Sequence, residues 1–220
     1  LGADHVAFTA VTKTERVKIW VGIPGGFMVY NTLDVLAAAL KLGVPLERSA
    51  EALRRVPHVK GRVEVVPTPG KDYTVLIDYA HSPDGLENVL TSVKGFAKGR
   101  TVAVFGCGGD RDRTKRPKMG KIAADIADFA VVTSDNPRTE DPDAIISEIL
   151  EGMKGTDTPY AVVTDRVEAI HYAMDHAQKD DVIVLCGKGH ETYQEVNHEK
   201  HHMDEREIVA DYLARENGKK

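Results

Sequence analysis

Thr101-Val102-Ala103-Val104-Phe105 runs without a break into Gly106-Cys107-Gly108-Gly109-Asp110-Arg111-Asp112-Arg113. A short β-branched and apolar run with no polar alternation describes a strand covered on both faces. Glycines and charges then follow at its carboxyl end. The same pattern recurs on either side. Strand-like runs occur at Val63 to Val66, Tyr73 to Asp78, Phe129 to Thr133, Ala161 to Val163 and Val182 to Cys186. Helical patterns separate most of them. Ser82-Pro83 opens one, with Leu86, Val89, Leu90 and Val93 on one stripe. Met119, Ile122 and Ile126 mark a second, and Asp141-Pro142 opens a third through Ile146, Ile149, Leu150 and Met153. Asp165 with Glu168 forms a capping box ahead of Val167, Ile170 and Met174. A last helix follows Asp204, with Glu207 at the capping-box position. This alternation predicts an α/β fold, a mostly parallel sheet flanked by helices.

Upstream the pattern is different. Val17 to Ile23 reads as a strand, and Pro24-Gly25-Gly26 breaks it. A helix is expected from Asn31 as its cap, with Leu33, Leu36, Ala37 and Leu40 on one face and Gly43 at its end. A second helix fits Pro45 to Arg54. Pro57 closes the region, which divides the chain into residues 1–57 and 58–220.

Composition limits what the chain can do. It has 220 residues, 42% of them hydrophobic, which is enough for a packed core. Lys+Arg 29 against Asp+Glu 34 gives a formal net charge of -5, so binding to nucleic acid or an anionic membrane needs a local basic patch. The apolar run Val35 to Leu40 is far too short to span a bilayer, and no signal peptide is visible. Two cysteines, Cys107 and Cys186, offer no disulfide framework and read as small apolar residues of a reducing compartment. The chain opens on Leu1 rather than Met, which suggests a piece of a longer protein or a processed chain.

The chemistry-bearing residues cluster directly after strands. Asp78-Tyr79-Ala80-His81-Ser82-Pro83 follows one, Gly106 to Arg113 the next, Asp135-Asn136-Pro137-Arg138 a third, and Gly187-Lys188-Gly189-His190-Glu191 a fourth. In an open parallel sheet all such ends share one edge, where ligands bind. That edge brings Arg111, Arg113 and Arg138 near Asp110, Asp135 and Glu191. Arginine captures carboxylates and carboxylates capture ammonium groups, so both signs together suit a zwitterion such as an amino acid. A surface salt-bridge cluster is the plainer alternative. The glycines either shape tight turns or let backbone approach a ligand. Neither glycine loop has dinucleotide-fingerprint or Walker spacing, which argues against a Rossmann oxidoreductase. His198, His201 and His202 interleave with Glu199 and Lys200 in a hairpin pattern, and no metal is assigned to them.

These clusters resemble the carboxyl-terminal half of the Mur ligase family, and within it the members that add meso-diaminopimelate. The carrying residues are Gly26-Phe27-x-x-x-Asn31, Lys60-Gly61-Arg62-x-Glu64, Asp78-Tyr79-Ala80-His81-x-Pro83-Asp84, the Gly106 to Asp112 run, Asp135-Asn136-Pro137-Arg138-x-Glu140, and Gly187 to Glu191. They occur in family order over nearly the whole chain. The resemblance implies a Rossmann-like amino-acid-binding domain at 58–220, preceded by the tail of the ATP-binding central domain at 1–57. It implies a bacterial, cytoplasmic ligase of peptidoglycan synthesis. ATP and Mg2+ would activate a carboxyl of UDP-MurNAc-L-Ala-D-Glu as an acyl phosphate, which the amine of meso-diaminopimelate attacks. Partners are these small molecules, without nucleic acid or membrane.

Roles follow position by position. The resemblance places Asn31, Arg62, Asp78 and His81 at ATP. It places Arg111, Asp135, Asn136, Pro137, Arg138, Gly187 and Glu191 around diaminopimelate. Lysine-adding relatives lack this Asp-Asn-Pro-Arg form, which marks Arg138 as the partner of the carboxylate that lysine does not have. Two departures accompany the match. Met28 stands where the family usually has Asn, and the Walker loop, modified lysine and magnesium ligands lie outside this sequence. The chain alone is therefore expected to be inactive. A non-catalytic amino-acid-binding or regulatory module is the alternative.

Overall fold

The computed structural model describes residues 5–56 and 59–218 and divides into two compact units, up to Val59 and from Lys60 onward. Pro57, expected to close the first region, lies outside the described residues.

The first unit is a hairpin and two helices. Strands β1 (Val6–Val11) and β2 (Arg16–Val21) pair antiparallel, with Val6 opposite Val21. The Thr12 hydroxyl accepts the Glu15 N–H at 2.9 Å and closes the turn. Helices α1 (Phe27–Lys41) and α2 (Leu46–Arg54) follow. The core gathers Val6, Ala10, Ile19, Val21, Ile23, Leu36, Leu46 and Ala50. Three expectations need correction. β1 was not anticipated, because its Ala and Thr residues dilute the alternation. Helix α1 starts at Phe27, not after Asn31, because the Gly25 and Gly26 carbonyls already accept the Met28 and Val29 N–H groups. The buried side of α1 carries Thr32 and Leu36, whereas Leu33, Ala37 and Leu40 are exposed.

The second unit is a six-stranded sheet. Its strands are β3 (Glu64–Val66), β4 (Thr74–Asp78), β5 (Thr101–Phe105), β6 (Phe129–Val132), β7 (Tyr160–Val162) and β8 (Val182–Cys186). Their spatial order is β3-β4-β8-β5-β6-β7, and every pairing is parallel except β3 with β4. Helices α3 (Pro83–Lys94), α4 (Lys115–Ile126) and α5 (Pro142–Glu151) cover one face, and α6 (Arg166–Asp175) and α7 (Glu205–Asn217) the other. Strand interiors such as β5 and β8 are buried throughout, as continuous apolar runs require. The helix starts carry the caps that the sequence signals. Ser82 accepts the Gly85 N–H at 3.3 Å, Asp141 the Asp143 N–H at 2.9 Å and Asp165 the Glu168 N–H at 2.9 Å. At α7, Asp204 accepts from Arg206 rather than Glu207.

A final hairpin, β9 (Tyr193–Val196) with β10 (Glu199–His202), turns through Asn197 and His198, both in the left-handed region. His198 sits at the tip, and His201 and His202 lie on β10. No described helix is long and apolar enough to cross a membrane.

The strand order positions the site. Because β8 inserts between β4 and β5, the loops after β4, β8, β5 and β6 stand side by side along one edge.

Candidate functional site

A pocket of about 290 Å³ opens on that edge. Every one of the four loops contributes: His81 after β4, Arg111 after β5, Asp135 and Arg138 after β6, and Gly187 and Glu191 after β8. Arg111, Arg138 and Glu191 thus share one small cavity. A larger cavity, about 580 Å³, lies on the other flank of Pro137 and Arg138. Its acids Asp141 and Asp165 are committed as helix caps, which leaves the smaller pocket with the freer chemistry.

Asp135 is the pocket's unspent acid. Its side chain is 8% exposed, and Oδ1 accepts the Asn136 N–H at 2.7 Å. Oδ2 is buried with no hydrogen-bond partner among the described residues. A buried carboxylate oxygen without a donor is costly unless a ligand supplies one. Gly187 faces it. A Cβ on Gly187 would stand 2.5 Å from Asp135 Oδ2, and its φ of +118° suits glycine alone.

Arg138 is the matching cation. Its Nε donates to Glu195 Oε2 at 3.1 Å and an Nη to the Gly109 carbonyl at 2.8 Å. Two of five guanidinium N–H groups are used this way, and the remaining fork is available. Its backbone is clamped as well. Arg138 sits at φ +51°, donates its N–H to Glu195 at 3.0 Å, and accepts from Asn197 at 2.8 Å. The β9–β10 hairpin therefore sets its position.

The loop after β5 is fastened to the loop after β6. Gly109 lies so close to the Pro137 carbonyl that a Cβ would come within 2.0 Å. Asp110 accepts from Thr139, and Arg116, fully buried, donates to Glu140 at 2.8 Å and to Glu148 at 3.0 Å. The Arg116 hydrogen bonds and the Asp110 N–H hold the Glu140 carboxyl down to about 2. Asp110 and Arg113 thus fasten the loop and do not line the pocket. Arg111 does line it, exposed, with one Nη on the Asp110 carbonyl at 2.9 Å.

Of the remaining residues named from sequence, His81 lines the pocket although the resemblance assigns it to ATP, and the others fall elsewhere. Pro137 belongs to the wall of the larger cavity. Asp78 is buried, which pushes its carboxyl above the usual range, and its Oδ2 accepts the Val63 N–H at 2.8 Å. Arg62, exposed, lies 5.4 Å over the Tyr79 ring, and His81 is tilted against the same ring with centroids 4.6 Å apart. Asn31 is on α1 of the first unit, its amide 3.8 Å from Met28 Sδ. Burial raises the Cys107 thiol to about 12 and the Cys186 thiol well above its ordinary value, consistent with packing roles.

Sequence reasoning missed the supports behind the pocket. Gln194, Glu195 and Arg166 carry no spacing signal, because their partners lie far along the chain, and Lys188 pairs locally with Glu191 but finds Asn136 only across the fold. Gln194 donates to the Asp135 carbonyl at 2.7 Å. Arg166, fully buried with Glu205, donates to the Cys186 carbonyl at 2.8 Å and the Ser134 carbonyl at 3.3 Å. These carbonyls immediately precede Gly187 and Asp135. One legible hint existed: Lys188 directly follows an apolar run and a glycine, where a lysine has no route to water along a buried strand.

The carboxyl edge of this α/β domain thus gathers a carboxylate oxygen without a donor and an arginine with donors to spare, the two signs of charge a small ligand would meet. Residues 61–189 match the Mur ligase, glutamate ligase domain, and the chain belongs to the Mur ligase family. It is 52% identical over 209 residues to UDP-N-acetylmuramoyl-L-alanyl-D-glutamate–2,6-diaminopimelate ligase of Caldanaerobacter subterraneus subsp. tengcongensis, covering 95% of this chain and 43% of the relative. The protein of the same name from Clostridioides difficile is 48% identical over 213 residues, covering 97% and 44%. A solved structure of an enzyme with that name superposes with a TM-score of 0.75 at 35% identity, over 98% of this chain and 44% of that one. The chain thus spans less than half the length of these relatives.

Proposed function

We propose that the chain is the amino-acid-binding part of an ATP-dependent ligase that joins meso-diaminopimelate to UDP-MurNAc-L-Ala-D-Glu. The observation that carries this is the pairing, in one small pocket, of the orphaned Asp135 Oδ2 with the unused fork of Arg138. The acid takes an ammonium and the fork takes a carboxylate bidentately. Arg111 adds a second cation on the rim. Diaminopimelate carries two ammonium and two carboxylate groups, so one amino-acid centre can be gripped here while the other amine stays free to react. Lysine, with one carboxylate fewer, leaves a cation unanswered.

In the reaction the chain's residues bind and orient the nucleophile. Proximity of the amine to an activated carboxyl is worth several kcal/mol of barrier. ATP, when bound with Mg2+, supplies that activation as an acyl phosphate. Arg62, exposed beside Tyr79, is the residue of the second unit suited to a phosphate, and Asn31, Asp78 and His81 are assigned to the nucleotide by resemblance. In the Gly106 to Gly109 turn, the Gly109 N–H is already spent on the Asn136 carbonyl at 2.9 Å. No cluster of three or more potential metal ligands exists among the described residues, so no Mg2+ ligand is assigned here. Soluble, cytoplasmic bacterial operation follows from the same reading.

Titration calorimetry of the chain with meso-diaminopimelate and with lysine tests the proposal. Diaminopimelate is expected to bind at least tenfold more tightly. Equal affinities, or none for either, would remove it. A regulatory module that only binds the amino acid gives the same calorimetry but no ligation when the chain is part of a protein with a phosphate-binding loop.

A further inference from the structure

Lys188 has no exposed surface, yet both of its hydrogen-bond acceptors line the pocket. Its Nζ lies 2.7 Å from Asn136 Oδ1 and 3.0 Å from Glu191 Oε2, and 5.2 Å from the centre of the Tyr193 ring. Asn136 Oδ1 also accepts the Glu195 N–H at 2.9 Å, and Asn136 Nδ2 donates to Glu191 Oε2 at 3.0 Å. Reversing the amide would set its NH2 group against two donors, so Lys188 and the Glu195 N–H dictate its orientation. One Nδ2 hydrogen is spent on Glu191 and the other remains. Both hydrogen bonds of Glu191 fall on Oε2, which leaves Oε1 for the pocket.

We propose that Lys188 is a positioning residue for amino-acid recognition: it acts through Asn136 and Glu191, fixing the amide of the first and holding the second as a carboxylate ready for a ligand ammonium. This rests on the reading of the pocket as an amino-acid site. A buried cation with two acceptors in adjacent loops also ties the loop after β8 to the loop after β6, so the two pocket walls move as one.

The charges around Glu191 support the assignment. On its own loop stand Lys188 and His190; from the loop after β6 come Asp135 and Arg138; Tyr79 faces it from the loop after β4, and Arg111 and Lys115 share the pocket from the β5 side. Burial pushes the Glu191 carboxyl up, and the hydrogen bonds from Lys188 and Asn136 outweigh burial and hold it below the usual range. Without Lys188, burial acts on Glu191 with less to oppose it.

Calorimetry with meso-diaminopimelate between pH 8 and 6 reads this directly. Wild-type affinity is expected to stay nearly flat, because Glu191 is ionised throughout. Lys188→Met is expected to bind about tenfold more weakly at pH 8 and to lose affinity further on acidification as Glu191 takes up a proton. His81 and His190 are common to both proteins and cancel in the comparison. Lys188→Arg, which keeps the charge, is expected to restore a flat profile. Lys188→Met/Glu191→Gln leaves no buried charge unpaired, so it tests the proposal even if the single variant does not fold; it is expected to bind weakly with no slope. Wild-type-like binding by Lys188→Met or by the double variant overturns the proposal, as does weakening of Lys188→Met by one constant factor at every pH. Failure of the amino-acid reading itself shows separately, as absence of binding by the wild-type chain.

Discussion

Gly187→Ala adds one carbon where Gly187 faces the Asp135 carboxylate. The new Cβ would lie 2.5 Å from Asp135 Oδ2, and the backbone there has φ +118°. Holding a side chain in that region costs about 1–3 kcal/mol. The carboxylate has little room to retreat. Its Oδ1 accepts the Asn136 N–H at 2.7 Å, the Asp135 carbonyl accepts from Gln194 at 2.7 Å, and the residue is buried. Turning it aside breaks the first bond, at a further cost of about 1 kcal/mol. The sum, about 2–4 kcal/mol, corresponds to a melting temperature lower by about 4–16 °C for a domain of this size. On the proposed function, in which Oδ2 meets the ligand ammonium, binding should suffer separately. Losing a charge-assisted hydrogen bond costs about 1.5–3 kcal/mol, or about 10–150-fold in affinity for meso-diaminopimelate. Differential scanning calorimetry gives the first number and isothermal titration the second. A variant that melts and binds like wild type would refute the Asp135–Gly187 wall.

Two more outcomes follow from buried chemistry. The Glu140 carboxyl is held at about 2 against an ordinary 4.5. A group lowered on folding stabilises fully above its ordinary value and loses that contribution as pH falls toward its folded value. Glu140→Gln should therefore flatten the fall in urea stability between pH 4.5 and 2 and cost about 2 kcal/mol at pH 7, where Arg116 keeps only Glu148; an unchanged acid limb would contradict the Arg116–Glu140 assignment. Cys107 and Cys186, buried with raised thiol pKa values, should resist maleimide at pH 8 until the chain is denatured, and rapid labelling of the native protein would contradict their packing.

Much of the second unit is written locally. The fully apolar runs at β5 and β8 and the caps Ser82, Asp141 and Asp165 act over a few residues, so periodicity and spacing reveal them. The edge on which the four loops meet follows from parallel topology, and Arg111, Asp135, Arg138 and Glu191 lie together there. The first unit is less legible. Gly25 and Gly26 start α1 four residues ahead of the asparagine that looks like a cap, and Leu33 and Leu40 are apolar without being buried. The supports of the pocket are illegible for a different reason. Arg166 finds Glu205 and Lys188 finds Asn136 only across the fold, and a buried polar contact between distant residues leaves no periodic trace in the chain.

The central claim is that Arg138 reads the carboxylate that distinguishes diaminopimelate from lysine. Parallel titrations of wild type and Arg138→Ala with the two amino acids measure it most directly. The account predicts a loss of about 10–150-fold for diaminopimelate in the variant, with lysine affinity nearly unchanged, so that the preference collapses. A variant that keeps the wild-type preference, or loses both ligands in equal proportion, would contradict it.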